Sequence, residues 1–205
     1  MFTGLIREIA TVKSYQNNIL TIQSKHQAKL GDSIAINGVC LTVIKVNADG
    51  FDLELSDETR SIIDESKISG RVHIEPAMQL DDRFEGHIVQ GHVDCMGVVT
   101  QITKRENATD FIIKVEPQYI AYIIPKGSIT IDGVSLTINE VYNDSFRLTI
   151  IPHTLRETLI GNYQIGSKIN IETDLFARYI DHILKNRSQK KSMSWNDIDN
   201  MQMSY

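Results

Sequence analysis

Two stretches of the chain are nearly identical but differ at one position that could carry chemistry. Residues 33–46 read SIAINGVCLTVIKV and residues 128–141 read SITIDGVSLTINEV, so that Cys40 corresponds to Ser135. A cysteine is a nucleophile when its thiol ionises, but a lone cysteine is more often an inert small residue of the core. Apolar residues flank Cys40 on both sides, so the sequence leaves the direction of its side chain open. The residues alone favour the inert interpretation.

A histidine in the middle of the chain could act as a general base. His92 follows a glycine and precedes a β-rich run. The imidazole of a histidine has an unperturbed pKa of about 6.5, which suits proton transfer at neutral pH. A lone histidine is nevertheless usually structural or exposed. His87, which precedes it in the same stretch, is the alternative base.

Several hydroxyl groups and one lysine could bind a polar ligand. Ser33 and Ser128 correspond to each other, and the simplest interpretation is that they cap turns at strand edges. Thr42 and Thr137 follow the thiol and its matching hydroxyl by two residues, so they share the same strand face. Lys126 precedes a glycine, and this position is typical of a solvated turn.

These groups lie in a sequence repeat with a period of about 90 residues, which is longer than the repeats of solenoid proteins. Ser33–Leu55 and Ser128–Ile150 align without gaps and share about half of their residues. We interpret the repeat as a duplicated domain. The correspondence continues on both sides and pairs Gly4 with Gly91, Leu5 with His92, Thr59 with Thr154 and Glu75 with Glu172.

Each copy of the repeat alternates short β-rich runs with turn residues. Asn37–Gly38 and Asp132–Gly133 lie within alternating apolar runs, the strongest short-range signal for a hairpin. About six short strands per copy predict two small antiparallel barrels, which need no helices to cover sheet edges. Thr59 and Thr154 are expected to open short helical turns after a strand.

The end of the chain changes to a helical pattern. Asp174 is predicted to be the N-cap of this helix. The expected organisation is a first barrel at 1–86, a second barrel at 87–173, a helix at 174–186 and a poorly ordered tail at 187–205. The apolar stripe of the helix consists of Leu175, Phe176, Tyr179, Ile180, Ile183 and Leu184.

Composition narrows the class of protein. The 205 residues carry a formal net charge of −5, which does not suggest nucleic-acid binding. No apolar run approaches the length of a membrane span, and the first residues lack the pattern of a signal peptide. Cys40 and Cys95 do not make a disulfide framework, so we expect a reduced, cytoplasmic protein.

The motifs MFTGL, NGVCLTV, GHIVQGHVD, PKGSITIDGVSLTI and IPHTL resemble riboflavin synthase, in the right order from Met1 to about Leu184. The resemblance implies two six-stranded Greek-key barrels with a C-terminal helix that assembles a homotrimer. It implies the dismutation of two 6,7-dimethyl-8-ribityllumazine molecules to riboflavin and 5-amino-6-(D-ribitylamino)uracil by four-carbon transfer. No metal, flavin or nicotinamide cofactor is expected, and lumazine synthase is a candidate partner.

The resemblance also assigns roles. It implies catalytic or substrate-contacting roles for Cys40, Ser33 and His92, and places Asp174 near the reacting centre of a neighbouring subunit. SDETR and IPHTL depart from the usual PETL pattern, which leaves the roles of Asp57, Glu58 and His153 open. Glu85 and Cys95 replace frequent glycines. Substrate contacts are implied for Gly4, Leu5, Ile6, Cys40, Leu41, Thr42, Glu54, Leu55, Ser56, Asp57, Glu58, Thr59, Gly91, His92, Val93, Lys126, Ser135, Leu136, Thr137, Ile151, Pro152, His153, Thr154, Leu155 and Arg156.

The duplication predicts one pteridine pocket per copy, with the two copies related by a pseudo-twofold axis. One substrate donates carbons and the other accepts them, so the copies must differ chemically. We expect Cys40 to serve the first copy and His92 the second. If the first copy of one subunit faces the second copy of a neighbour, the two residues in one site come from different chains.

Two other classes of function remain open from the sequence. Non-catalytic lumazine-binding antenna proteins share the duplicated barrel but bind a pigment without converting it. The presence of Cys40, Ser33, His92 and the second GVSLT favours the enzyme. A generic ligand- or flavin-binding barrel is the other alternative, and the lack of a glycine-rich phosphate loop argues weakly against a dinucleotide.

Overall fold

The chain forms two closed six-stranded antiparallel barrels, followed by a helix. The computed structural model describes residues 1–188. The first barrel consists of β1 (Glu8–Gln16), β2 (Ile19–Gln23), β3 (Ser33–Ile36), β4 (Val39–Asn47), β5 (Gly50–Glu54) and β6 (Arg71–Pro76). The second consists of β7 (Cys95–Lys104), β8 (Thr109–Lys114), β9 (Ser128–Ile131), β10 (Val134–Val141), β11 (Ser145–Ile150) and β12 (Lys168–Thr173).

Both barrels have the same topology. Around the first barrel the strands follow the order β1-β2-β5-β4-β3-β6, and the second follows β7-β8-β11-β10-β9-β12. Pairing of β2 with β5, and of β8 with β11, skips a hairpin and gives each barrel a Greek-key connection. The prediction of an all-β fold with two similar barrels is confirmed.

The predicted hairpins form, and their tips touch. Asn37 (φ 46°) and Gly38 (φ 80°) connect β3 to β4, while Asp132 (φ 43°) and Gly133 (φ 86°) connect β9 to β10. A Cβ atom on Gly38 would lie 2.7 Å from the backbone nitrogen of Gly133. The two turns therefore meet between the barrels, where only glycine fits.

The N-terminal segment and the linker also meet between the barrels. Phe2 and Val89 exchange two backbone hydrogen bonds, of 2.7 and 3.1 Å, in an isolated antiparallel bridge. Both residues are fully or almost fully buried, and they pack with Ala35 and the half-buried Cys40. Each barrel thus keeps its own core, and this small apolar cluster joins them.

Three short helices accompany the barrels: α1 (Asp57–Ile62), α2 (Pro117–Ile120) and α3 (Pro152–Glu157). The prediction that Thr59 and Thr154 begin helical turns is wrong, because each helix begins about half a turn earlier along the chain. Asp57 begins α1 because the Ser56 hydroxyl accepts a 3.2 Å hydrogen bond from the backbone N–H of Thr59. Pro152 begins α3, since its fixed φ suits the first helical position.

The C-terminal helix α4 (Leu175–Ser188) extends slightly beyond the predicted end. The Asp174 carboxylate accepts a 2.8 Å hydrogen bond from the backbone N–H of Phe176, which confirms the N-cap. Residues 187 and 188, which were expected in a disordered tail, are helical, and 189–205 lie outside the described residues. No helix in the described range 1–188 is long and apolar enough to cross a membrane.

The apolar stripe of α4 is exposed rather than packed on its own barrels. Phe176, Tyr179, Ile180, Ile183 and Leu184 each expose between 51% and 60% of their surface. The alternative in which α4 folds back on its own barrel is therefore wrong for this stripe.

Candidate active site

A groove opens beside the first barrel, between it and the segment that leads into the second. Its volume is about 430 Å³, within the usual range for small-molecule sites. The groove contains part of the predicted site. Its lining includes Cys40, Ser56, Glu58, Thr59, Gly91, His92, Val93 and Asp94.

The pleat of β4 decides where the thiol faces. Val39, Leu41 and Val43 are buried in the barrel, whereas Cys40 points outward into the groove. This resolves the ambiguity of the sequence against a position inside the barrel core. Leu41 and Leu55 are almost fully buried, so only their backbone groups can contact a ligand.

The segment that carries His92 lies directly against Cys40. The backbone N–H of Cys40 donates a 2.8 Å hydrogen bond to the carbonyl oxygen of Gly91. A Cβ atom on Gly91 would lie 2.6 Å from the Cβ of Cys40, and its φ is 79°. Cys40 and His92 therefore line one groove of one chain, whereas the sequence led us to expect them from different chains if a trimer forms.

The thiol of Cys40 is a hydrogen-bonding group in its resting state. Burial raises the pKa of Cys40, and a hydrogen bond with Ser33 acts in the opposite direction. Ser33 lies opposite Thr42 across the β3–β4 pair, which brings all three side chains to the outer face of the barrel. The groove thus offers a neutral thiol with a neighbouring hydroxyl.

Two buried glutamates hold the segments that meet between the two barrels, and neither was predicted from the sequence to have a role. Glu172 accepts hydrogen bonds from the backbone N–H groups of Gln90, Gly91 and His92, at 2.8, 2.8 and 3.1 Å. Burial raises its pKa to about 7. Both residues could have been found in the sequence, because a glutamate ends each of the matched apolar strands VHIE and INIE.

Glu75 is the counterpart in the first copy. Its carboxylate accepts hydrogen bonds from the backbone N–H and hydroxyl of Thr3, at 2.7 and 2.9 Å, and from the N–H of Gly4 at 3.0 Å. Burial raises its pKa as well. The two acids hold pseudo-equivalent segments, Thr3–Ile6 and Gln90–Val93.

The second copy places Ser135 in the position of Cys40. Its backbone N–H donates a 2.8 Å hydrogen bond to the carbonyl of Gly4, matching the contact between Cys40 and Gly91. Its hydroxyl lies 2.7 Å from Nδ1 of His87, whose Nε2 lies 3.3 Å from the hydroxyl of Thr130. Burial lowers the pKa of His87, and the nearby Asp174 opposes this shift.

The remaining predicted residues are divided between the two sets. Helix α3 follows β11 as α1 follows β5, so 151–156 occupy the place of 56–61 in the second barrel. Glu54, Asp57, Thr42 and Thr137 are exposed. In the second set, the exposed residues are Lys126, Ile151, Pro152, His153 and Arg156. The half-buried residues are Leu5, Ile6, Leu136, Thr154 and Leu155.

Cys95 lies apart from both sets. It is buried in the core of the second barrel, and burial raises the pKa of its thiol to about 12. It therefore stays protonated at neutral pH. Within residues 1–188, no cluster of three or more histidine, cysteine or acidic residues could hold a metal ion.

The fold is similar to that of known structures. The structure of LumP complexed with riboflavin superposes with a TM-score of 0.74 at 21% identity, covering 85% of this chain and 100% of that one. LumP complexed with 6,7-dimethyl-8-(1'-D-ribityl) lumazine gives 0.71 at the same identity, covering 85% and 99%. At this identity the likeness concerns the fold alone.

Comparison of sequences identifies the family. The model of the lumazine binding domain matches residues 3–77 and 90–174. The riboflavin synthase of Actinobacillus pleuropneumoniae is 42% identical over 90% of both chains, and that of Bacillus subtilis is 39% identical over 94% of both. With two copies of the domain and relatives this similar along almost their whole length, the chain belongs to the riboflavin synthase family.

Proposed function

We propose that the protein is a transferase that converts two molecules of 6,7-dimethyl-8-ribityllumazine into riboflavin and 5-amino-6-(D-ribitylamino)uracil. The observation that carries this proposal is the groove in which Cys40 of the first copy meets His92 of the second. Riboflavin synthase relatives at 37–42% identity support the reaction.

The residues of the groove can carry out the proton transfer and the ring binding that the reaction of the lumazine needs. His92 is exposed on the groove wall, where its imidazole can take the proton that must leave the 7-methyl group. Cys40 and Ser33 supply hydrogen-bonding groups to the bicyclic ring. The hydroxyls of Ser56 and Thr59 can hold the pyrimidine, which offers donors and acceptors.

The duplication accounts for the need for two substrates. The second set, built around Gly4, Ser135 and α3, is the pseudo-equivalent place for the other lumazine. Two sites that hold identical molecules in opposite orientations replace a bimolecular encounter, which can lower the barrier by about 7–11 kcal/mol. Cys40 and Ser135 then give the two molecules different chemical surroundings.

Assembly belongs to the same proposal. The exposed stripe of α4 is the surface through which the chain forms a homotrimer, so that the first-copy site of one subunit faces the second-copy site of another. Each complete active site then uses two chains, although Cys40 and His92 come from one of them. We also propose a cytoplasmic location and lumazine synthase as a partner that supplies the substrate.

The test is incubation of the protein with 6,7-dimethyl-8-ribityllumazine while flavin absorbance is recorded. We expect one riboflavin for every two lumazines consumed. Tight binding of the lumazine without formation of flavin would instead indicate a non-catalytic, antenna-type protein, the alternative that the sequence left open. Absence of both binding and turnover would leave only a generic barrel and contradict the proposal.

A further inference from the structure

The segment that carries His92 is held from the side of α4 by one arginine. The guanidinium of Arg178 donates through one nitrogen to the Asp94 carboxylate, and through the other to the side-chain oxygen of Gln90 at 3.0 Å. Its side chain is 21% exposed and that of Asp94 is 17% exposed. The two guanidinium nitrogens therefore contact the chain two residues before and two residues after His92. We call this arrangement of Arg178, Gln90 and Asp94 the arginine clamp.

The other contacts of Asp94 connect the same segment to the last strand. Its second carboxylate oxygen accepts hydrogen bonds from the backbone N–H and the hydroxyl of Thr173, at 2.7 and 2.6 Å. Glu172 binds the backbone between these points. The segment Gln90–Asp94 is consequently fixed by β12 from below and by α4 from the side.

The first copy lacks this arrangement. Glu75 is retained as the counterpart of Glu172, but Asp94 corresponds to Arg7, which is exposed. Strand β6 is followed by the linker to the second barrel, whereas β12 is followed by α4. The arginine clamp therefore distinguishes the segment with His92 from its counterpart with Leu5.

We propose that Arg178 is a positioning residue for the proposed reaction, fixing the segment Gln90–Asp94 so that His92 faces the groove and tying that geometry to α4. The inference rests on the proposed function. An arginine suits this task because its planar fork reaches two acceptors at once, which the single ammonium of a lysine does not do in the same geometry.

Arg178 also acts on the acid beneath the segment. It lies 3.8 Å from Glu172 and lowers the pKa of that carboxyl, which burial and the neighbouring Asp94 raise. The thiol of Cys40 also interacts with Glu172, whose charge raises the pKa of that thiol. Without the guanidinium, Glu172 would take up a proton at higher pH and lose part of its capacity to accept from the backbone of 90–92.

The test compares Arg178→Gln and Arg178→Lys with Arg187→Gln, which removes the same charge from an exposed position on the same helix. Turnover of 6,7-dimethyl-8-ribityllumazine is measured between pH 5.5 and 9, with sedimentation to follow assembly. We expect kcat of Arg178→Gln to fall about 10–100-fold with KM changed less than about threefold. Its activity profile should move to higher pH, while Arg187→Gln stays within about twofold of wild type.

Two outcomes would overturn the inference: Arg178→Gln with turnover within about twofold of wild type, or a loss of turnover with an unchanged pH profile. Arg178→Lys keeps the charge, so it tests the fork if Arg178→Gln fails to fold, and we expect lowered kcat with a near-normal pH profile. If the wild-type protein forms no flavin, the proposed function fails. The clamp is then tested by riboflavin fluorescence, whose quenching in Arg178→Gln should still shift to higher pH.

Discussion

His92 is the residue on which the proposed chemistry depends most directly. If its imidazole removes the methyl proton, His92→Gln should lower turnover by about 10²–10⁴ while riboflavin binding stays nearly unchanged. Steady-state rates and a fluorescence titration measure the two effects separately. His182→Gln is the matched control, because this histidine is exposed on α4. Near wild-type turnover in His92→Gln would remove the residue from its role.

Replacement of Cys40 tests whether the chemical difference between the two copies affects turnover. Cys40→Ser introduces the residue that the second copy carries at the same position, so we expect normal folding and slower turnover. Because burial raises the pKa of the thiol, alkylation by iodoacetamide at pH 7 should also be slow and should accelerate as pH rises. An unchanged rate in Cys40→Ser would reduce Cys40 to a packing residue.

Glu172 makes stability depend on pH. Its folded-state pKa of about 7 lies above the ordinary value, so its favourable contribution is present below about pH 4.5 and is lost as pH rises through 7. Glu172→Gln removes this dependence. Between pH 5 and pH 8 its free energy of unfolding should therefore improve relative to wild type by about 2–3 kcal/mol.

Urea denaturation of both proteins at the two pH values measures the difference. Glu172→Gln also replaces one of the two oxygens that accept from the backbone of 90–92, so the variant can be less stable than wild type at each pH. The change between the two values is the informative quantity. A difference between wild type and variant that does not vary with pH would show that Glu172 is ionised throughout this range.

At the scale of elements, the approach of one segment to one strand forms the groove. Gly91 and Gly70 both have positive φ, but only Gly91 has a close neighbour, since a Cβ there would lie 2.6 Å from that of Cys40. Gly70→Ala should cost about 1 kcal/mol of stability for its backbone conformation alone. Gly91→Ala should cost several times more and weaken riboflavin binding.

Thermal melts and a riboflavin titration of the two variants check this expectation. The comparison separates the strain of the backbone from the contact between elements, because only the contact differs. Equal effects in Gly91→Ala and Gly70→Ala would mean that the segment can withdraw from β4 without loss.

At the scale of the whole molecule, the exposed stripe of α4 predicts assembly. Ile180→Asp and Ile183→Asp place charges on the stripe while leaving the fork of Arg178 in place. We expect monomers in sedimentation that still bind riboflavin, because the groove belongs to one chain, but that form little product. Arg187→Gln provides the control. Trimers that persist with both aspartates present would exclude the stripe as the interface.

Deletion from Asp174 onward addresses a related question less cleanly. It should give monomers that retain some affinity for riboflavin but have little activity, because both the stripe and Arg178 are lost. A truncated monomer with full activity would contradict both the two-chain site and the clamp. A larger loss of turnover in the deletion than in the aspartate variants is expected, because only the deletion removes Arg178.

The duplication, the two barrels and most of the residues around the groove could be predicted from the sequence. Alternating apolar residues and the Asn37–Gly38 and Asp132–Gly133 turns fix strand register locally, because side chains alternate between faces and these turns need positive φ. The helix after Asp174 follows from its own periodicity. Corresponding residues such as Cys40 and Ser135 could be found because each copy serves as a template for the other.

The contacts between residues that are distant in sequence could be read only from the folded chain. Cys40 and His92 lie in one groove because the linker crosses back to β4, and no local pattern encodes a contact between segments so distant along the chain. Glu172 and Arg178 lie on different elements, and each gains its role from backbone groups and side chains that folding brings to it. Burial, which sets the pKa of Cys40 and Glu172, likewise arises only when the two barrels close against each other.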